Sequence, residues 1–390
     1  MNIKRYLKLT LALLVTVVLL LLLLVKVGKG PSLENGKRQA ESSARVMING
    51  DLLYHDIVYW SAKQDDGSYD FRNNYRYVKD WIQQADLAIA DYEGTITPER
   101  ELAGYPLFNA PIEVADAIKD TGYDVMAIAN NHILDMNLPG VYSTKKAFED
   151  RGMCVIGAYT EPTRAKENIL VKEVNGIKIA LLNYSYGYNG MEQNLSQEDY
   201  EKHMSDLDEN RIKEEIEYAE KVADITLVMP HMGVEYQLSP TPEQKALYHR
   251  MIEWGADLVI GGHPHVVEPT EVVEKDGEKK FIIYSMGNFI SNQRIETLDN
   301  KWTERGCLVD LTIKKDNTHT YLAQAKAHPT WVNRVPNGKS GHGFGLFDYS
   351  TYVLEDWIEG GKYYGKLDSQ TQNRVNKAYE ETKKLLNLHF

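Results

Sequence analysis

The boundary between polar and apolar positions is sharpest near the start of the chain. Lys4, Arg5 and Lys8 precede an almost unbroken leucine and valine run from Leu9 to Val25, and Lys26 and Lys29 follow it. At a helical rise of about 1.5 Å per residue, that run nearly matches a hydrocarbon core of about 30 Å, and the flanking lysines can reach the interface. Residues 1–28 are therefore expected to form a cytoplasmic tip and a single transmembrane anchor. A cleaved signal peptide is the rival reading, but Lys26 to Arg38 contain no A-x-A cleavage site and no lipobox cysteine. Residues 29–44 are rich in Gly, Ser, Lys, Glu and Asn and read as a linker too polar to bury. Basic residues flank both ends of the anchor, so charge alone does not orient it. With no second hydrophobic span, the remaining chain is expected on one side of the cell membrane, outside the cell.

Past the linker, short apolar runs alternate with helical periodicity. Residues 46–48, 87–90, 125–129, 225–229, 258–260 and 281–284 have the length and composition of buried strands. Apolar positions at helical spacing predict helices over 75–84, 111–121, 138–150, 210–222 and 241–254. Asn109-Ala110-Pro111 and Pro240-Thr241-Pro242-Glu243 read as helix starts, and Gly122 and Gly255 as helix ends. Asn175-Gly176 divides residues 168–174 from 177–183 and predicts a hairpin. Beyond Lys314 the pattern is less regular, with one further strand at 321–326 and a polar helix at about 369–386. No internal repeat is present, and the alternation defines an α/β class.

Composition then narrows the function classes. Hydrophobic residues at 43% and charged residues at 26% of the 390-residue chain are ordinary for a globular protein with a sizeable core. A net charge of -12 argues against nucleic acid, which needs a basic face. An acidic substrate would need a local cationic centre such as a bound metal. The two cysteines, Cys154 and Cys307, form neither a disulfide framework nor a CxxC motif. They are either buried thiols or a single pair.

Polar motifs fall immediately after the predicted strands, and in open α/β sheets ligands gather beyond the carboxyl ends of strands. The residues so placed are Asp51, His55, Glu93, Asn131, His132, His231, His263 and His265. Each has a plainer reading. His263 and His265 could be a hydrogen-bonded structural pair, and Asn130-Asn131-His132 an Asn-rich turn capping the next helix. Glu93 could be a solvated turn acid and His55 a surface residue. Gly-Asp after a strand is common, and His231 could equally be a core residue. Together, carboxylates, imidazoles and a carboxamide suit Zn, Mn or Fe better than Mg or Ca. A bridging carboxylate can hold two such ions about 3.5–4 Å apart, where they clamp a phosphoryl group.

Their order along the chain resembles that of calcineurin-like metallophosphoesterases. Gly50-Asp51-Leu52, Asp91-Tyr92-Glu93-Gly94, the stretch Ala129 to Asp135, and His231 to Tyr236 look like successive signatures of CapA/PgsA-type poly-γ-glutamate capsule biosynthesis proteins. So do Gly255 to Val266 and Tyr284 to Phe289. The resemblance covers about residues 45–290. It implies a four-layered α/β/β/α sandwich over residues 45–314, with 315–390 an extension packing on it. It also implies a role in poly-γ-glutamate synthesis, export or anchoring, with membrane-bound synthase subunits and that polymer, or a related anionic one, as partners. Mapped onto this chain, Asp51, Glu93, Asn131, His231, His263 and His265 would bind one or two divalent metal ions, with Glu93 bridging. His132 would protonate the leaving oxygen. A secreted phosphoesterase acting elsewhere and a non-enzymatic scaffold of a polymer-synthesis complex are the alternatives. Three departures stand out. Phosphoesterases begin with Asp-x-His, but here Leu53 holds the third place and the nearest imidazole is His55. Glu93 replaces the bridging Asp, and Asp91 the Asn of an Asn-x-Glu motif.

Overall fold

Alternation along the first strand sets the layering. In the computed structural model, which describes residues 42–390, strand β1 spans Ser42–Leu53. Its Val46 and Ile48 enter one core cluster, while Met47 between them enters another on the opposite face. In β2 (Leu87–Glu93), Leu87 and Ile89 face the first cluster and Ala88 and Ala90 the second. With β3 (Val125–Ala127) and β4 (Cys154–Ile156) these strands form a parallel array. On the other side of β1, β12 (Arg305–Lys315), β13 (Thr320–Gly341) and β14 (Phe344–Val353) continue the sheet antiparallel. The short β11 (Asn288–Ile290) pairs with the end of β1.

A second sheet runs in the order β5-β6-β7-β8-β10-β9. Its parallel centre is β6 (Ile177–Ser185), β7 (Ile225–His231), β8 (Leu258–Ile260) and β10 (Glu278–Ile283). The edges β5 (Leu170–Val174) and β9 (Thr270–Lys275) are antiparallel hairpin partners. Ile179, Leu181, Leu227, Met229, Ile260 and Ile283 meet Val46, Ile48 and Ile89 between the sheets. Each such buried aliphatic side chain contributes about 1.5–3 kcal/mol relative to exposure. Helices α1 (Asp56–Ala62), α2 (Glu113–Thr121) and α3 (Asn137–Glu149) cover the outer face of the first sheet. Helices α4 (Glu209–Val222) and α5 (Pro242–Trp254) cover that of the second. The result is the expected helix–sheet–sheet–helix sandwich.

Every strand predicted from the apolar runs is present, and Asn175-Gly176 is the β5–β6 turn, both residues at positive φ. Thr241 caps α5 in a capping box with Gln244, and Gly122 and Gly255 end α2 and α5 at positive φ. Three local readings need correction. The helix expected over 75–84 is two short turns, Arg72–Tyr75 and Lys79–Ile82. Between them Tyr77 packs edge-on to Tyr352, Trp357 and Tyr363 at 5.0–5.2 Å, where a continued helix would not place it. Asn109 is no helix cap: its side chain donates to the carbonyls of Thr97 and Glu101 and accepts from the Thr97 amide, stapling a loop. The third concerns the C-terminal part, where one strand was expected. β13 and β14 are long and complete the first sheet, and helix α6 (Ser369–Leu386) docks on β13.

Cys154 and Cys307 are free. They sit on β4 and β12, four strand steps apart or about 19 Å, far beyond disulfide reach. The expected anchor at 1–28 and most of the linker lie outside the described residues. The last linker positions, Ser42 to Ala44, already pair with β12. Among the described residues no helix is long and apolar enough to cross a membrane.

Candidate metal centre

Both sheets deliver their site residues from the carboxyl ends of parallel strands. Asp51 ends the regular part of β1, Glu93 is the last residue of β2, and Asn131 and His132 follow β3. His231 is the last residue of β7, while His263 and His265 sit in the loop after β8. Asp91 and Glu93 are two apart on β2, so both share the inward face with Ile89. Gly262 passes close to Asp91 and Asp51: a Cβ there would lie 2.7 Å from Asp91 Oδ2 and 3.1 Å from Asp51 Oδ1. His263 and His265 hold φ of 98° and 58°. Two non-glycine residues in the left-handed region within one loop mark strain retained at a site.

The structure gathers these side chains into overlapping groups. Asp51, Glu93 and His265 place ligand atoms within 4.8 Å of one another, and so do Glu93, His231 and His263. A third set, Asp51, Asp91 and His231, overlaps both. Glu93 belongs to the first two, which is the position of a bridging carboxylate. Its two oxygens lie 3.9 Å from His231 Nε2 and 3.7 Å from His265 Nδ1. Asn131 Oδ1 is 2.8 Å from His231 Nε2 and joins the His231 side. All are buried.

The remaining contacts orient the ligands. His231 Nδ1 faces Asp91 Oδ2 at 3.2 Å, and His265 Nδ1 faces Asp51 Oδ2 and Asn288 Oδ1, both at 3.1 Å. His132 stands beside the cluster with Nδ1 2.8 Å from Asp135 Oδ2, and the Phe108 ring meets it edge-on at 4.7 Å. Asn130 turns away from the site, donating to the Tyr92 and Ile128 carbonyls and accepting from the His132 amide. His55 joins none of the groups: its Nδ1 accepts from the Asn292 amide at 3.3 Å, and it lines the cavity outside them. Leu53, directly across from Glu93, fills the place of the missing Asp-x-His imidazole.

Charge in this cluster is balanced under tension. Burial raises the Glu93 carboxyl, and it raises Asp91 against the pull of the His231 bond. Burial opposes charge on His265 as well, but Glu93 and Asp51 outweigh it and push that imidazole up to about 10. His231 is likewise raised, burial being overcome by Asp91, Glu93 and Asp51. His263, buried and facing His231 and His265, is held well below the ordinary range and stays neutral. Both oxygens of Glu93, Oδ1 of Asp51, Oδ1 of Asp91 and Nδ1 of His263 are buried without a hydrogen-bond partner. Such orphaned acceptors converging on one spot fit divalent cations, which would take the place of the imidazolium protons.

Asp135 and Asn288 were not singled out in the sequence, and Asp91 stood out there only as a departure from Asn-x-Glu, not as a site residue. Each lies inside a quoted motif, and for Asp91 the period of two along β2 was the available signal. A larger cavity of about 810 Å³, between β13 and the C-terminal residues, holds none of the site residues.

Two face-to-face sheets flanked by helices, with the polar cluster where their parallel strands end, define an α/β/β/α sandwich with its site beyond the strand ends. The chain belongs to the family described as Bacterial capsule synthesis protein PGA_cap, which matches residues 45–293. It is 27% identical over 263 residues to the capsule biosynthesis protein CapA of Bacillus anthracis, covering 66% of this chain and 61% of that protein. It is 29% identical over 252 residues to the PGA biosynthesis protein CapA of Bacillus subtilis strain 168, covering 63% and 62%. The chain thus spans less than two thirds of the length of these relatives. Among solved structures, the calcineurin-like phosphoesterase YfkN of Bacillus subtilis aligns at a TM-score of 0.44 and 13% identity, over 88% of this chain and 99% of that one. A phosphatase of Mycoplasma pneumoniae aligns at 0.43 and 16%, over 74% and 94%.

Proposed function

We propose that this chain is a membrane-anchored, extracellular capsule biosynthesis protein, acting in poly-γ-glutamate synthesis, export or anchoring through a metal-dependent hydrolase site. The observation that carries the reading is the sharing of buried Glu93 between two ligand groups. Asp51, Glu93 and His265 would hold one divalent ion, and Glu93, Asn131, His231 and His263 a second, the donor set favouring Mn, Zn or Fe. Bound ions would supply Lewis-acid polarisation of a phosphoryl oxygen and a nucleophilic water at neutral pH. The chain's own residues do the rest. Asp135 holds Nδ1 of His132 and leaves Nε2 to protonate the departing oxygen. Asp91 fixes the His231 ring from behind, as carboxylates behind ligating imidazoles do.

The names of the two Bacillus relatives support the capsule and polymer assignment. Membrane-bound synthase subunits are the partners this reading proposes. The test is complementation of a capsule-forming strain that lacks its own relative. Wild type restores surface poly-γ-glutamate, whereas Asp51→Asn and His263→Ala, present in the membrane fraction at equal levels, do not. Full restoration by both variants would remove the catalytic part of the proposal.

A further inference from the structure

We propose that the cavity opening onto His132 and His265 is a subsite for an uncharged, ring-bearing group of the substrate, a glycosyl unit. This deepens the hydrolytic reading above and rests on it. The cavity measures about 430 Å³, inside the range of about 300–1,000 Å³ usual for small-ligand sites. His132 and His265 line it, so its occupant is held directly against the reacting end.

Its walls set aromatic and aliphatic side chains beside polar ones. Tyr105, Tyr236 and Leu298 are 79%, 38% and 44% exposed, and Phe108 lies buried behind them. Side chains of this size left open to solvent around one cavity add little to the fold and mark a binding surface. Gln293 Nε2 donates to the Tyr236 hydroxyl at 3.3 Å and sets that ring. Asn292 and Glu235 supply polar atoms beside the rings.

Charge decides the class of ligand. Among the described residues lining the cavity there is no lysine or arginine, and Glu235 is a carboxylate. The nearby Arg334 is outside the lining and held against it: it donates to Asn292 Oδ1 at 3.1 Å and lies over the Phe347 ring at 4.0 Å. An acidic chain would therefore meet cationic charge only at the inner, His265 end, where the phosphoryl group belongs, and no lysine or arginine along the outer wall. A pyranose suits it: the C–H face stacks on tyrosine, and the hydroxyls meet amide and carboxylate groups.

The test uses the metal-loaded full chain and three esters: glucose 1-phosphate, glycerol 3-phosphate, and phosphoserine flanked by glutamates. The expected kcat/KM favours the glucose ester over the glycerol ester by about tenfold, with the acidic peptide below both. Tyr105→Ala combined with Tyr236→Ala brings the glucose-to-glycerol ratio close to one, and Tyr236→Phe alone keeps it. Preference for the acidic peptide, or a ratio that the double variant leaves in place, overturns the subsite. Titration with methyl glucoside separates this from the underlying reading. Glucoside binding that the double variant abolishes, without hydrolysis of any ester, keeps the subsite and removes only the hydrolytic role. Ester cleavage with no glucoside binding and no ring preference removes only the subsite.

Discussion

Asp51 stands opposite Asp91 across β1 and β2, one residue out of step with the pairing of Asn49 and Ala90. Gly50 is the extra residue, and it makes a β-bulge. Simple alternation from Val46 and Ile48 would send Asp51 to the helix-covered face, and the bulge turns it between the sheets instead. Gly50 is also the residue that the space permits, since a Cβ there would lie 2.0 Å from the Gly287 carbonyl oxygen.

Gly50→Ala should therefore do two things at once. Backbone must shift to admit the methyl group, at a cost of about 2–4 kcal/mol, and Asp51 should leave its place beside Glu93. Denaturant unfolding together with metal content checks both. An unchanged midpoint would show that the bulge has more slack than the geometry gives it.

His132→Ala should lower ester hydrolysis by about 10²–10⁴-fold while bound metal stays at the wild-type level, because His132 belongs to none of the ligand groups. Steady-state kinetics with elemental analysis of the same sample separates the roles. Loss of metal in this variant would reassign His132 as a ligand.

A third prediction concerns stability away from the site. His328 lies 3.0 Å from Glu355 and 3.5 Å from Asp310. Burial opposes its charge, but the two carboxylates outweigh burial and raise the imidazole from 6.5 to about 9. A raised folded-state value means that the contribution is complete below about pH 6.5 and is lost as pH rises through about 9. It amounts to about 3 kcal/mol. Unfolding free energies measured from pH 6 to 10 should fall across that window, and less so in His328→Gln. Equal pH dependence in both proteins would contradict the assignment.

Much of the layering was legible because it follows from local physics. Buried parallel strands read as apolar runs, and Asn175-Gly176 and the Thr241 capping box each carry their own geometry. The candidate ligands were legible because they follow those runs directly. Other features depend on distant partners. The orientation of Asp51 rests on a bulge that fits around Gly287, some 237 positions on. Tyr77 breaks a helical pattern for rings near residue 352, and β13 and β14 alternate too irregularly to announce two long strands. His55 looked close to Asp51 in sequence, yet the chain turns into α1 there and the imidazole meets the Asn292 amide instead.

The two ligand groups are unequal, and this leads to the most direct test. Glu93, His231, His263 and Asn131 surround one position, whereas Leu53 leaves the other with Asp51, Glu93 and His265. Metal titration of the full chain with Mn and with Zn, read by calorimetry and by bound-metal analysis, should give two ions per chain in two steps. The tighter step should vanish in His263→Ala, the weaker in Asp51→Asn, and both should weaken in Glu93→Gln. Failure of wild type to take up either metal stoichiometrically, or retention of both ions by Glu93→Gln, would contradict a shared centre.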